Sequence, residues 1–514
     1  MLKRTNRKSH ATQPHIAIVG TGFAGLCMAI RLKQSGHHNF TLFERASEIG
    51  GTWRDNTYPG AACDVQSFVY SYSFEQSPEW SRMFAEQHEI LAYMKHCAEK
   101  YGLYPHIRFH SEVAGAEFDE VTGHWNVELS GGEYVSAKYV ISGCGPLNRP
   151  AFPNIDGLES FEGDLFHTSE WDHSVDLRGK KVAVVGTGAS AIQVVPSIAP
   201  EVESLTVFQR TPPWITPKRD RRIPEWEKEV YRRAPALLKL QRVRLYWELE
   251  ARAVGFVTEP WILKALSKLV KLHLRASIDD PDLREKVTPD YTMGCKRILV
   301  SNDYYPALER EDVQVVTDSV TEIVPNGAIS ADGTEHEFDV IIMATGFKAA
   351  EELAPFDVMG RDGRSLNEEW NPYAEGHMGT TISGFPNLFT IIGPNTGLGH
   401  NSMIFMMESQ AEYILQAIET VEEAGATYLD VKAEAQQAFN DEVQSRMKNT
   451  VWSTGCSSWY QTADGRNTTL WPGYTCEYRM RTRRFDRENY EFHAADDKVG
   501  VAGILGSVRS IVGV

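Results

Sequence analysis

The first clear pattern in the chain is His15-Ile-Ala-Ile-Val-Gly20, an unbroken apolar run too short for a helix and closed by glycine. Such a run predicts a strand buried on both faces of a parallel sheet. Leu26-Cys-Met-Ala-Ile-Arg-Leu-Lys then predicts a helix, and Phe40-Thr-Leu-Phe-Glu44 a second strand. The same order returns at Val182-Ala-Val-Val-Gly186 and Leu205-Thr-Val-Phe. Two later runs, Val340-Ile-Ile-Met-Ala344 and Asn387-Leu-Phe-Thr-Ile-Ile-Gly393, predict further buried strands. From about 224 to 290 strand patterning disappears. Segments 226–232, 237–253 and 261–275 carry helical patterns rich in Leu, Arg, Lys and Glu, and 403–423 predicts one more helix.

Each first strand runs directly into a glycine turn. Gly20-Thr-Gly22-Phe23-Ala24-Gly25 is GxGxxG, and Gly186-Thr187-Gly188-Ala189-Ser190-Ala191 is GxGxxA. The spacing alone is a weak signal; its place between strand and helix gives it chemistry. Gly20 permits the tight turn, Gly22 lets the backbone approach a pyrophosphate, and Gly25 lets helix and strand pack closely. The helix N-terminus offers free N–H groups to the phosphates. Glu44, 19 residues beyond Gly25, can accept from both ribose hydroxyls. After the second copy's strand stand Gln209-Arg210-Thr211 instead. A carboxylate there would repel a 2′-phosphate, whereas Arg210 pairs with one. The first site therefore suits FAD and the second NADPH.

The expected fold is α/β, with two Rossmann-like dinucleotide-binding domains and a helical insertion in the NADP domain. The expected boundaries put 1–150 and 386–514 in the FAD domain (with a C-terminal tail), 151–220 and 291–385 in the NADP domain, and 221–290 in the insertion. The Ala344-Thr345-Gly346 and Gly393-Pro394-Asn395 turns read as the chain leaving the NADP domain and returning to the FAD domain.

At 514 residues the chain holds about three domains' worth of sequence. Its 42% hydrophobic and 24% charged residues are ordinary for a globular protein. A mean hydropathy of -0.34 and the lack of any long apolar run argue against a transmembrane helix. The basic start, MLKRTNRKSH, lacks the apolar stretch of a secretory signal and reads as a frayed tail. A net charge of -17 repels a phosphate backbone, so nucleic acid is not an expected partner. The seven scattered cysteines form no CxxC, which favours reduced thiols in a cytoplasmic protein over a disulfide framework or a zinc site.

Two longer constellations choose among flavin enzymes. Phe161-Glu-Gly163-Asp-Leu-Phe-His167-Thr-Ser-Glu-Trp171-Asp172 is FxGxxxHxxxW followed by Asp, and Gly51-Thr52-Trp53-Arg-Asp-Asn-Thr-Tyr58-Pro59-Gly60-Ala-Ala-Cys-Asp64 is GxWxxxxYPGxxxD. On these segments the chain resembles the type I Baeyer–Villiger monooxygenases from about residue 14 to about 480. The resemblance implies oxidation of a ketone by O2 and NADPH to an ester or lactone, with sulfoxidation as a side activity. It implies a C4a-peroxyflavin kept deprotonated by Arg297, from Gly294-Cys-Lys-Arg297, with Asp64 holding that arginine. These two are the expected catalytic residues.

The resemblance also implies that Lys296 joins Arg210 and Thr211 on the 2′-phosphate, and that Trp459 lies near the nicotinamide and substrate. Tyr70 and Val113 complete the positions expected at the cofactors. His167 reads as an orienting or hinge residue and Trp171 as packing. The aromatic stretch 451–474 is either core or a mobile pocket loop, and its departure from the family makes the ketone unreadable. The nearest rival is an amine- or sulfide-oxidising flavin monooxygenase, which does not need the Arg297–Asp64 pair. A non-catalytic flavin protein is a further alternative. A disulfide reductase needs a redox-active cysteine pair at short spacing, which this sequence lacks.

Overall fold

Ile16–Val19 are all buried, and they sit at the centre of a five-stranded parallel sheet. A computed structural model of the chain describes residues 13–348, 356–456, 458, 460–462 and 464–494. The strands of this first sheet run in the order Leu388–Thr390, Tyr139–Ser142, Ile16–Val19, Phe40–Phe43, Ile107–Arg108. Every pairing is parallel, with Ile18 opposite Leu42 on one side and Ile141 on the other. Helices cover both faces of such a sheet, which is why its strands read as continuous apolar runs. The glycine-led helix Phe23–Gln34 packs against the long helix Met403–Ala424.

The second sheet is also wholly parallel, ordered Val313–Val316, Ser204–Phe208, Lys181–Val185, Val340–Met343, Asp164–His167. The two glycine motifs therefore sit on two separate nucleotide folds, and the α/β reading holds. The outward and return connections between them run side by side. Ala151 N–H donates to Gly346 O at 2.9 Å, Lys348 N–H to Arg149 O at 3.1 Å, and the Thr345 hydroxyl to Ala151 O at 2.6 Å.

Three details correct the sequence reading. Asp357–Met359 pairs in parallel with Val113–Asp119, on the edge of an antiparallel sheet packed against the first parallel one. The chain has thus rejoined the first fold upstream of the expected 385/386 boundary; a three-residue edge strand carries too little pattern to be seen in sequence.

The insertion is helical as expected, with helices Glu225–Arg233, Pro235–Ala253, Trp261–Ser277 and Pro281–Lys286. Its helices pack on both folds. Leu238, Leu245 and Leu249 pack into the core of the first fold, whereas Leu274 and Ile278 pack into the second. Buried Glu250 fixes the first of these contacts, accepting from Asn401 Nδ2 at 2.7 Å, the Thr475 hydroxyl at 2.6 Å and Cys476 N–H at 3.1 Å.

Reduced thiols were expected throughout, but Cys295 and Cys456 form a disulfide across 161 residues of sequence, and five cysteines remain free. Their pairing depends on two distant loops meeting, which spacing along the chain does not reveal. Among the described residues no helix is long and apolar enough to cross a membrane, and no His, Cys, Asp and Glu cluster could hold a metal. The basic N-terminal segment, Trp459 and the final Val/Ile/Gly stretch lie outside the described residues.

Candidate active site

The first glycine turn is shaped by contacts that only glycine allows. A Cβ on Gly25 would stand 1.9 Å from Gly20 O, so this residue serves helix-strand packing and not the ligand surface. Gly20, at φ +95°, lies under Gly143. Gly22 and Gly51 face each other backbone to backbone, a Cβ on Gly51 falling 3.1 Å from Gly22 Cα. That leaves a slot free of side chains at the N-terminus of Phe23–Gln34, as a pyrophosphate requires.

One cavity runs from this slot. Gly20, Gly22, Phe23, Ala24, Glu44, Gly51, Thr52, Trp53, Tyr70, Val113 and Arg297 all line it. Trp53 Nε1 donates to the Tyr70 hydroxyl at 3.0 Å, which fixes both rings in the wall. Sequence reasoning missed the far wall, formed by Ile392, Leu398, Met403, Met407 and Thr468 to Leu470, and by the turn from Gly143 to Arg149. These come from segments hundreds of residues apart. The one legible signal was the Gly393-Pro394-Asn395 turn.

Glu44 ends the second strand and is buried. Its Oε2 accepts from Thr21 N–H and hydroxyl, and its Oε1 from Ala46 N–H and Arg54 Nη1 at 2.9 Å. Burial pushes its pKa up, but these bonds overcome that and hold it below the ordinary value. Arg54 is thus a partner that the sequence reading did not assign. It lines the same cavity, offsets the charge of the acid and helps fix where its oxygens point.

Arg297 Nε and Nη2 donate to Asp64 Oδ2 at 2.9 and 2.5 Å, across 233 residues of sequence. The Asp64 charge raises the Arg297 pKa, outweighing burial. Arg297 faces the cavity, and Asp64 is not among the residues lining it. Buried Tyr460 lies against the same guanidinium; burial raises its pKa and the Arg297 charge opposes that.

The YPG segment that carries Asp64 also ties the two folds together. The Tyr58 hydroxyl donates to Gln193 Oε1 at 3.1 Å, Gln193 Nε2 donates to Ala62 O at 2.9 Å, and Gly60 lies flat on the helix Ala191–Ile198. That helix follows the second glycine turn. Docking of the second nucleotide fold and placement of the arginine therefore depend on one segment.

In the second turn Gly186 has φ +114°, and a Cβ there would stand 2.5 Å from Ala344 O. Gly188 is open, with nothing within 4 Å of its Cβ position. Ala189 is exposed and Ser190 half-buried beside Tyr58. The Thr187 hydroxyl donates to Thr211 O at 3.0 Å, holding the turn to the loop that bears exposed Arg210. The Lys296 pKa is lowered by burial first and then by the Arg210 charge, so these two cations share one neighbourhood. Asp290 offsets this only in part, and two neighbouring cations with no ion-pair partner among the described residues fit a phosphate. Lys296 also carries the chain directly into Arg297 at the other cavity.

His167 is fully buried at the end of the edge strand of the second sheet. Its Nδ1 accepts from Ser169 N–H at 3.1 Å, so the ring proton is on Nε2. Phe152 of the outward connection and Phe347 of the return connection pack on the ring. Burial lowers its pKa to about 4, which keeps it neutral at physiological pH. Trp171 packs edge-on against Phe166, as expected of a packing residue.

Fold and site together define a flavin monooxygenase built on two nucleotide folds. The flavin-binding monooxygenase-like family matches residues 13–252. A Baeyer–Villiger monooxygenase of Pseudomonas aeruginosa is 50% identical to the chain, over 92% of this chain and 90% of that protein. A solved structure of oxidized steroid monooxygenase bound to NADP is similar at TM-score 0.84 and 30% identity, over 94% of this chain and all of that one. OTEMO in complex with FAD and NADP is similar at TM-score 0.85 and 28% identity, over 93% and 99%. The chain belongs to the Baeyer–Villiger monooxygenase family.

Proposed function

We propose that the chain oxidises ketones to esters or lactones with O2 and NADPH, holding FAD in the first fold and NADP in the second. The observation that carries this reading is the Arg297–Asp64 pair beside the Gly22–Gly51 slot. Bound flavin supplies hydride acceptance and dioxygen activation; the remaining work belongs to the chain.

Gly20, Gly22 and Gly51 admit the FAD pyrophosphate, and Glu44 positions the ribose. Arg210 and Lys296 take the NADP 2′-phosphate, with Thr211 beside them. Arg297 is a fixed cation that Asp64 keeps from losing its proton. It stabilises negative charge on oxygen while a carbonyl is attacked, and it does not protonate the attacking oxygen. Asp64 is a positioning residue that also offsets the cost of burying the guanidinium. His167, neutral under the paired connections, orients the two folds and is not a proton donor. The reading includes a cytoplasmic location.

The test is a panel of linear, cyclic and aromatic ketones with product mass and NADPH consumption followed together. Ester formation matched to NADPH use supports the reading. Oxidation confined to amines or sulfides would replace it with the heteroatom-oxidising alternative.

A further inference from the structure

A second cavity, of about 890 Å³, shares no lining residue with the nucleotide cavity. It lies between the insertion helix Pro235–Ala253, the start of Met403–Ala424 and the helix Thr475–Thr482. Five cations line it: Arg31, Lys239, Arg242, Arg479 and Arg483. None of the five pairs with a carboxylate among the described residues. In a chain of net charge -17, five cations around one cavity with no carboxylate partner among the described residues call for an explanation.

Two carboxylates line the cavity as well. Both oxygens of buried Glu408 are taken by Ser73, through its N–H at 2.5 Å and its hydroxyl at 2.6 Å. Glu412, one helical turn further on, leaves the local balance strongly positive. Arg242 is half-buried. Its Nη1 donates to Phe68 O at 2.7 Å and Ser71 O at 2.9 Å, while Nε and Nη2 make no bond to described residues.

The independent sign of a ligand is Ser402. It occupies the N-cap of Met403–Ala424, is 2% exposed and lines the cavity, yet its hydroxyl has no partner and caps nothing. A serine at that position ordinarily accepts from the helix's own first N–H groups. Here an unused hydroxyl, the positive end of a 22-residue helix and the unused donors of Arg242 line one cavity. Away from them the lining turns apolar. Tyr246 stacks on Phe405 with ring centroids 4.9 Å apart, and Val243, Trp247 and Met480 are exposed.

We propose that this cavity is a second, non-catalytic ligand site for an amphiphile with a carboxylate or phosphate head and an apolar chain. The head sits among Arg242, Ser402 and Arg479, whose guanidinium lies over the Phe405 ring at 5.0 Å, and the chain runs along Val243 and Trp247. The opposite face of the same helix start, Met403 and Met407, lines the nucleotide cavity, so an occupant would touch the element that borders the flavin.

The test titrates the cofactor-loaded enzyme with dodecanoate, dodecyl phosphate, dodecanol and dodecyltrimethylammonium, each below its micelle concentration. Binding is read by calorimetry and by Trp247 fluorescence, with Trp247→Phe as the signal control. The expected result is saturable binding of one or both anions, weakened about tenfold or more in Arg242→Gln and in Arg479→Gln. NADP+ should not compete. Preference for one anion supports the proposal and says which acid the site takes. Equal binding of the alcohol or the cation, competition by NADP+, or unchanged affinity in folded Arg479→Gln would overturn it. Arg479 is exposed, so that variant tests the site even if Arg242→Gln fails to fold.

Discussion

Arg297 places both Nε and Nη2 on a single oxygen of Asp64, at 2.9 and 2.5 Å, so one carboxylate fixes the plane of the guanidinium at the edge of the cavity. Arg297→Ala should leave anaerobic flavin reduction by NADPH intact while ester formation falls by about 100-fold or more. Asp64→Asn should keep part of the activity, because a neutral amide still bonds the guanidinium without matching its charge. Stopped-flow reduction and product analysis separate the two steps. Ester formation at the native rate in Arg297→Ala would remove this residue from the mechanism.

Arg210 and Lys296 share one neighbourhood and neither forms an ion pair among the described residues, and of the two nucleotides only NADPH carries the phosphate they suit. Arg210→Ala should weaken NADPH by roughly 10- to 100-fold, a loss of about 1.5–3 kcal/mol, and change NADH little. Reduction rates at varied concentrations of each nucleotide check this. Equal losses for both would reject the phosphate assignment.

Gly60 has φ +80°, and a Cβ there would fall 2.3 Å from Ser197 Oγ and 2.7 Å from Gln193 O. Gly60→Ala should therefore strain the backbone and push the YPG segment off its helix. A stability loss of about 1–3 kcal/mol is expected, with more NADPH consumed per ester formed. Thermal midpoints and the ratio of NADPH used to product measure both effects.

His167 has its pKa lowered by burial from 6.5 to about 4. The unfolded chain therefore takes up this proton more readily than the folded one. Its contribution to stability is present above about pH 6.5 and is lost as pH falls toward about 4, by up to about 3 kcal/mol. His167→Asn, which can still accept from Ser169 N–H, should show a flatter decline between about pH 7 and about pH 5. Urea midpoints at the two pH values test this; parallel declines would assign the acid sensitivity elsewhere.

The Cys295–Cys456 bond ties the loop preceding Arg297 to the loop preceding Tyr460. Thiol titration of the denatured, unreduced chain should count five groups, and seven after reduction. Seven before reduction would mean that the two loops meet without a covalent link.

Both nucleotide folds were legible because their causes are local. A strand buried on both faces must be apolar throughout, and a turn that admits a pyrophosphate must be glycine at fixed spacing, as at Gly20, Gly22, Gly186 and Gly188. The expectation of a free ribose in one site and a 2′-phosphate in the other also rests on single residues, Glu44 and Arg210. The arginine and its acid were nameable only because two long motifs resemble a known family; nothing local links Asp64 to Arg297 across 233 residues.

Tertiary structure alone decided the rest. It set Arg54 on Glu44, laid Gly60 on the second fold's helix, split the insertion between two cores, and joined Cys295 to Cys456. It also gathered five cations and an unused serine around a cavity from four separate stretches of chain. The physical reason is the same in each case. Backbone preference and periodicity are properties of neighbours in sequence, whereas charge pairing, close approach and cavities depend on which surfaces the folded chain brings together.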